Sequence, residues 1–229
     1  MKPLEKYQTM RTTLAAPGSR RMTLWLLACG VAYGPLFYLV VLVQVLTRAG
    51  FDIRKHPLSL LSLGDAGWIQ VANFIIAGLL AMIFAVGLRT SLKENRGKWW
   101  GPSLIAVSGL GLVIAGLFPP PAVLGFPPGT PDGMPPVVSV SGQLHGVGFL
   151  LAFGPLIAAM FMFGRRFYLT GSRGWGLCCV ATGVITPLLV LPGFLLQKPT
   201  SVAFALAGMI AFGWVSALGV HQIKAEASL

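Results

Sequence analysis

Six long runs of apolar residues, at about 22–46, 68–88, 101–118, 143–164, 176–196 and 201–221, constrain this chain more than any other feature it has. Hydrocarbon offers no water to satisfy backbone N–H and C=O groups, so an apolar run of about 18 residues or more is read as a membrane-spanning helix. The third run is the shortest, and only a few residues separate the last two. The expected fold is all-α: a polytopic membrane protein built as a six-transmembrane-helix bundle. Composition points the same way. Charged residues are 10% of the 229 positions and hydrophobic residues 55%, whereas a soluble domain carries about 25% charged residues. Too little polar surface exists here to face water on all sides.

The net charge of +11 is explained by where the cations sit. Lys2, Lys6, Arg11, Arg20 and Arg21 precede the first run, Arg89, Lys93, Arg96 and Lys98 fill the second loop, and Arg165, Arg166 and Arg173 the fourth. With Lys224 in the tail, thirteen fall on the side of the N-terminus. Arg48, Arg54, Lys55 and Lys198 are the four on the other side. Cytoplasmic loops carry the excess of Lys and Arg, so both termini are expected inside (N-in/C-in). That divides the chain into a cytoplasmic segment 1–21, a transmembrane domain 22–221 and a cytoplasmic tail 222–229. Cations that bind nucleic acid cluster on one folded face, and these do not, so no nucleic-acid partner is expected; membrane lipids are. The stretch from Met22 to Leu46 is too long for the apolar region of a secretory signal and lacks a small-x-small cleavage site, so it is read as a retained first span. Cys29, Cys178 and Cys179 all lie within apolar runs, with no zinc-ligand spacing and no implied disulfide framework.

The loops on the less basic side hold most of what spanning alone does not explain. In the first, Pro57 suits a helix start and Gly64 the residue past a helix end, which predicts a short helix over 57–63 at the interface. Asp65 is then placed to cap the second span. The loop 119–140 holds eight of the 17 prolines, so it is expected to be extended, with turns at Gly125, Gly129 and Gly133. It is long enough to fold over the end of the bundle as a lid. Trp99, Trp100 and Trp175, where the basic loops re-enter the membrane, fit an interfacial aromatic belt.

Polar residues inside spans are costly and usually face protein or a cavity. Gln70 and Asn73, three apart on one helical face, open the second span beside Trp68; Gln143 and His145 open the fourth, and Gln44 lies in the last turns of the first. These residues can converge beneath the outer loops, with His56, Ser59, Ser62 and Asp65 above them. One reading is structural: amides on membrane helices often bridge neighbouring helices, for about 0.6–2 kcal/mol each. A second is a pocket for a lipid headgroup or small apolar ligand, or a dock for a membrane protein partner. A third is a membrane-embedded hydrolase or transferase acting on lipid, with His145 as base, Ser59 or a water as nucleophile and Asp65 as orienting acid, although no G-x-S-x-G elbow surrounds either serine. A facilitator-type transporter is a further possibility; an ion-coupled one lacks ionisable residues within the spans. His56 and His145, with no Cys or carboxylate at ligand spacing, make a poor metal site, and no cofactor is expected. Close helix contacts are expected at Gly30/Gly34, Gly109/Gly116 and Ala207/Ala211, and the Gly142/Gly146 pair allows close helix approach.

The segment His56-Pro-Leu-Ser-Leu-Leu-Ser-Leu-Gly-Asp-Ala-Gly-Trp-Ile-Gln-Val-Ala-Asn-Phe74, followed by Phe118-Pro119 and Leu144-His145-Gly146, resembles the bacterial six-helix membrane family called domain of unknown function 998. The Gly-Trp-Ile-Gln stretch is its specific part, and the order of the other motifs agrees from the first span to the last. Members of that family often carry an acidic residue soon after the Phe-Pro step, where this chain has Pro120 and Pro121, and another where it has His56. The resemblance implies a six-helix fold in a bacterial inner (plasma) membrane, and no assigned reaction.

Overall fold

The computed structural model describes residues 17–92, 99–133, 137–196 and 201–228. Lys2, Lys6, Arg11, Lys93, Arg96, Lys98 and Lys198, counted above, lie outside the described residues. Among the described residues six helices make up the bundle: α1 (Pro17–Thr47), α2 (Gly67–Ser91), α3 (Trp100–Leu117), α4 (Val140–Leu169), α5 (Arg173–Leu196) and α6 (Ser201–Ala227). All six are long and apolar enough to cross a membrane. At 18 residues α3 is the shortest, about 27 Å at 1.5 Å per residue, close to the ~30 Å of a hydrocarbon core.

Each helix packs on its neighbours in sequence, and α6 returns against α1 to close the ring. Small residues set the approach distances, as expected of helices that have no hydrophobic force to bring them together in lipid. An ideal Cβ on Gly78 of α2 would lie 2.5 Å from the carbonyl oxygen of Gly109 on α3, and one on Gly109 would meet Gly78 in the same way. Gly34 faces Phe212 and Ser216 of α6, Gly30 faces Phe84 of α2, and Ala207 and Ala211 are fully buried. Ser216 adds a polar stitch between α1 and α6, its Oγ accepting from the Gly34 N–H at 3.2 Å. The close helix approach that the Gly142/Gly146 pair allows is not made at Gly146. The atoms nearest a Cβ on Gly142 belong to Val138 and Pro121, and nothing lies within 4 Å of where a Gly146 side chain would start. Gly146 lines open space instead of a helix contact.

The loops after α1 and α3 interlock at one end of the bundle, called here the capped end. The expected short helix is a 3-10 turn, η1 (Leu58–Ser62), with Pro57 immediately before it and Gly64 at φ +71° beyond it. Arg48 closes its far end by donating to the carbonyls of Leu61, at 3.3 Å, and Leu63. Gly125, Gly129 and Gly133 all adopt positive φ, as turns in a proline-rich segment require. Asp65 does not cap α2. The residue before that helix is Ala66, without a side-chain cap, and Asp65 is exposed. Gly67 explains this: a Cβ there would collide with the backbone of Ser62, so η1 itself lies over the first turn of α2. Ser139 does cap α4, accepting from the Gly142 N–H at 3.1 Å.

At the opposite, basic end, the Arg20 guanidinium donates to the Glu226 carbonyl at 2.6 Å, and Ser91 Oγ donates to the Glu226 carboxylate at 2.6 Å. Arg89 stacks over Trp99, 3.3 Å from the ring centroid.

Candidate functional site

The capped end is held by a small apolar cluster of Leu60, Val123 and Phe126, with Phe51, Leu63 and Leu124 around it. His56 pins the two loops together. Its Nδ1 accepts from the Asp52 N–H at 2.9 Å, so the proton sits on Nε2, which donates to the Leu124 carbonyl at 2.9 Å. Its ring packs 5.4 Å from those of Phe51 and Phe126. Lys55 reaches Asp132 at 2.6 Å, and Arg54 pairs with Asp52 at 3.0 Å. These hydrogen-bonded cations hold the Asp52 and Asp132 carboxyls below the usual carboxylate range. Both pairs are solvated, so they orient the loops more than they stabilise them. Partial burial lowers the Arg48 guanidinium, and the charge of Asp65 acts in the other direction. Ser201 Oγ, at the start of α6, donates to the Lys55 carbonyl at 2.9 Å and ties the cap to the bundle.

Beneath this cap, inside the ring of helices, is a cavity of about 520 Å³. Its roof is Pro57, Leu58 and Ser59. Its walls are Phe37 and Tyr38 of α1, Phe74 of α2, Leu112 and Ala115 of α3, the face of α4 from His145 to Phe153, and Phe204, Ala205, Gly208 and Phe212 of α6. The aromatic rings support one another. Phe37 lies 5.0 Å from Phe212 and 5.6 Å from Phe74, and Phe149 lies 4.7 Å from Phe153. No charged side chain lines the cavity among the described residues. The size and lining are those of pockets that take small apolar molecules, typically about 300–1,000 Å³ with a few placed polar groups.

Three polar side chains line it. Tyr38 is already committed, its hydroxyl donating to the Ala205 carbonyl at 2.9 Å. His145 Nδ1 lies 3.0 Å from the carbonyls of both Ala115 and Phe118. A carbonyl can only accept, so Nδ1 carries the proton and Nε2 is left with its lone pair and no partner among the described residues. These two carbonyls belong to the last turn and the end of α3, where helical carbonyls have no intrahelical donor. The position of His145 is therefore set by the end of a neighbouring helix. Ser59 is the third group; its carbonyl accepts from Ser62 Oγ at 2.6 Å.

The sequence-selected residues thus separate into four places. Ser59 and His145 share the cavity. Gln44, Gln70 and Asn73 form a buried network between α1 and α2: Gln44 Nε2 donates to Gln70 Oε1 at 2.8 Å, and Asn73 Nδ2 donates to the Phe37 carbonyl at 3.1 Å and to Gln70 Oε1 at 3.3 Å. Gln44 Oε1 and Gln70 Nε2 have no partner among the described residues. His56 and Ser62 belong to the cap, and Asp65, Trp68 and Gln143 are exposed. Sequence reasoning weighed polar residues and so passed over the aromatic ones. The signal was present as Phe149 and Phe153, four apart and following His145 on α4, and as Phe204, Gly208 and Phe212, which repeat every four residues on α6.

The profile of a family described as "Protein of unknown function (DUF998)" matches residues 31–221. No curated protein and no solved structure matches the chain. The family match begins within α1 and ends near the close of α6, taking in the cap, the cavity and every helix between; the chain belongs to the DUF998 family.

Proposed function

We propose that this is a binding protein of a bacterial plasma membrane, which holds a lipid chain or a small apolar ligand in the aromatic cavity under the cap. The observation that carries this reading is the cavity itself: about 520 Å³ of space walled by aromatic and aliphatic side chains. An anionic headgroup is a poorer occupant, because the nearby cations are engaged elsewhere, Lys55 with Asp132, Arg54 with Asp52 and Arg48 with η1. Gly146 supplies the test. A Cβ there would meet no atom within 4 Å, and Gly146 lines the cavity, so a leucine is expected to take up part of its space without disturbing the bundle. Wild-type protein purified from membranes should carry an apolar species detectable by mass spectrometry. Gly146→Leu should reduce it about tenfold, the ratio produced by about 1.4 kcal/mol of lost contact, and should melt as cooperatively as the wild type. Equal retention by the two proteins would remove the cavity as the binding site.

The excess of Lys and Arg near the termini supports an orientation in which the capped end faces outward and both termini are cytoplasmic. Asp132, exposed on the cap, is the position to probe. With Cys29, Cys178 and Cys179 replaced, Asp132→Cys should react with a membrane-impermeant maleimide in intact cells. Reaction only after permeabilisation would reverse the orientation.

A membrane-embedded hydrolase or transferase is the second reading, favoured by the shared cavity of Ser59 and His145. It lacks an orienting acid: carbonyls rather than a carboxylate hold His145 Nδ1, and Asp65 is exposed, outside the cavity. The spectra that detect a bound lipid also separate the readings, since turnover would leave a cleaved or transferred product and binding alone an intact ligand.

A further inference from the structure

We infer that the occupant of the cavity is an uncharged, membrane-dissolved molecule with a terminal hydroxyl, which reaches the site sideways from the bilayer and donates its hydroxyl hydrogen to His145 Nε2. This rests on the cavity reading above and specifies the chemical class and the route. Three observations carry it.

The first is the polarity of the lining. A charged ligand group would need a buried counter-charge, and no charged side chain lines the cavity among the described residues. The second is the state of His145. Two carbonyls hold the proton on Nδ1, which leaves Nε2 as the acceptor of a ring that lines a cavity of mostly apolar residues. An acceptor of this kind discriminates: a ligand with a donor satisfies it, whereas one without leaves it unpaired and desolvated.

The third observation is the position of the mouth. Gly146 and Leu150, one turn apart on α4, line the cavity and are also exposed, Leu150 at 65%. The cavity therefore opens along α4. That helix has 30 residues and is about 45 Å long, against a hydrocarbon core of ~30 Å. Centred on the helix, the core covers Leu150 and reaches Gly146. The mouth faces acyl chains. The water-facing route is roofed by Pro57, Leu58 and Ser59, in a cap fastened by His56 and Ser201. A molecule already dissolved in the bilayer has a path to the site, whereas one in water meets the interlocked loops.

The test uses the full chain in phosphatidylcholine nanodiscs, with a diazirine-bearing long-chain alcohol as the photoprobe. Hexadecanol, its methyl ether and hexadecanoate serve as competitors, and the labelled peptides are read by mass spectrometry. The probe should label the α4 and α6 peptides that line the cavity. Hexadecanol should compete about tenfold better than the ether or the anion, as expected for one hydrogen bond made in a mostly apolar cavity. His145→Leu should bring alcohol and ether together. Leu150→Trp, which narrows the mouth, should slow labelling at least several-fold.

If alcohol and ether compete equally in the wild type, the hydroxyl contact is wrong while the apolar cavity stands; that comparison requires no variant to fold. A preference for hexadecanoate would overturn the uncharged class. An unchanged labelling rate in well-folded Leu150→Trp would overturn the lateral route. If saturable labelling never appears in the cavity peptides, both this inference and the binding reading beneath it fall.

Discussion

Leucine at Gly111 should abolish the assembled bundle. A Cβ on that glycine would run into the backbone of α4, at the amide nitrogen of Ala152, the carbonyl carbon of Leu151 and the carbonyl oxygen of Gly148. Inserted methylenes in a packed core usually cost about 1–3 kcal/mol because side chains move aside. Backbone atoms cannot do so unless the two helices separate. Separation would also break the Ser108 Oγ hydrogen bond to the Ala152 carbonyl at 2.6 Å, and in lipid no hydrophobic force draws the helices back together. The expected result is loss of the monodisperse peak in detergent and of a cooperative thermal transition. Gly154→Leu is the control on the facing helix: nothing lies within 4 Å of where a Cβ would sit, and the residue is exposed. It should behave as the wild type. A Gly111→Leu protein that purified and melted normally would show that the α3–α4 contact is looser than described.

The second large effect is expected at Phe126. This ring is 1% exposed and packs at 5.4 Å on both Phe51 and His56, with the Arg48 guanidinium 5.7 Å from its centroid. It joins two loops that come from different parts of the chain. Truncating a buried phenylalanine to alanine costs about 3–5 kcal/mol, through lost transfer energy and the void left behind. Phe126→Ala should therefore raise amide hydrogen exchange across 48–66 and 119–133 by two orders of magnitude or more, since each 1.4 kcal/mol is a factor of ten. The helical amides should keep their protection, because their contacts are with one another. Wild-type protection in both loops would mean that the ion pairs and His56 hold the cap without the aromatic cluster. For the binding reading, an open cap matters in its own right: water would gain access to the space under Ser59 and compete for His145 Nε2.

Much of the architecture was legible in the linear chain. Whether a segment crosses a membrane depends on the summed transfer energy of about 20 consecutive side chains, a local property that no tertiary contact has to supply. The same holds for Gly64, whose positive φ ends the short helix at the cap, and for the glycine turns of the proline-rich loop. Small residues in spans also announced themselves as contact points, and Gly34 and Gly109 are such points. The Gly142/Gly146 pair is instructive. A small-xxx-small pattern permits close approach without requiring it, and here the same absence of a side chain makes room for a cavity.

What lay beyond the linear chain was the rotation of each helix about its axis. A soluble helix reveals its inward face by the contrast between apolar and polar sides. These helices are apolar on every side, so Phe212, which faces the cavity, and Leu206, which is exposed, carry no distinguishing mark in sequence. Gln70 and His145 open the two spans that start at the capped end and look like partners. Only the packing of α3 between their helices sends one to an amide network and the other to the end of α3. Local hydropathy therefore decided how many helices there are and what they are made of. Contacts between residues far apart in the chain decided which side chains meet, because in lipid nothing but those contacts tells one face of a helix from another.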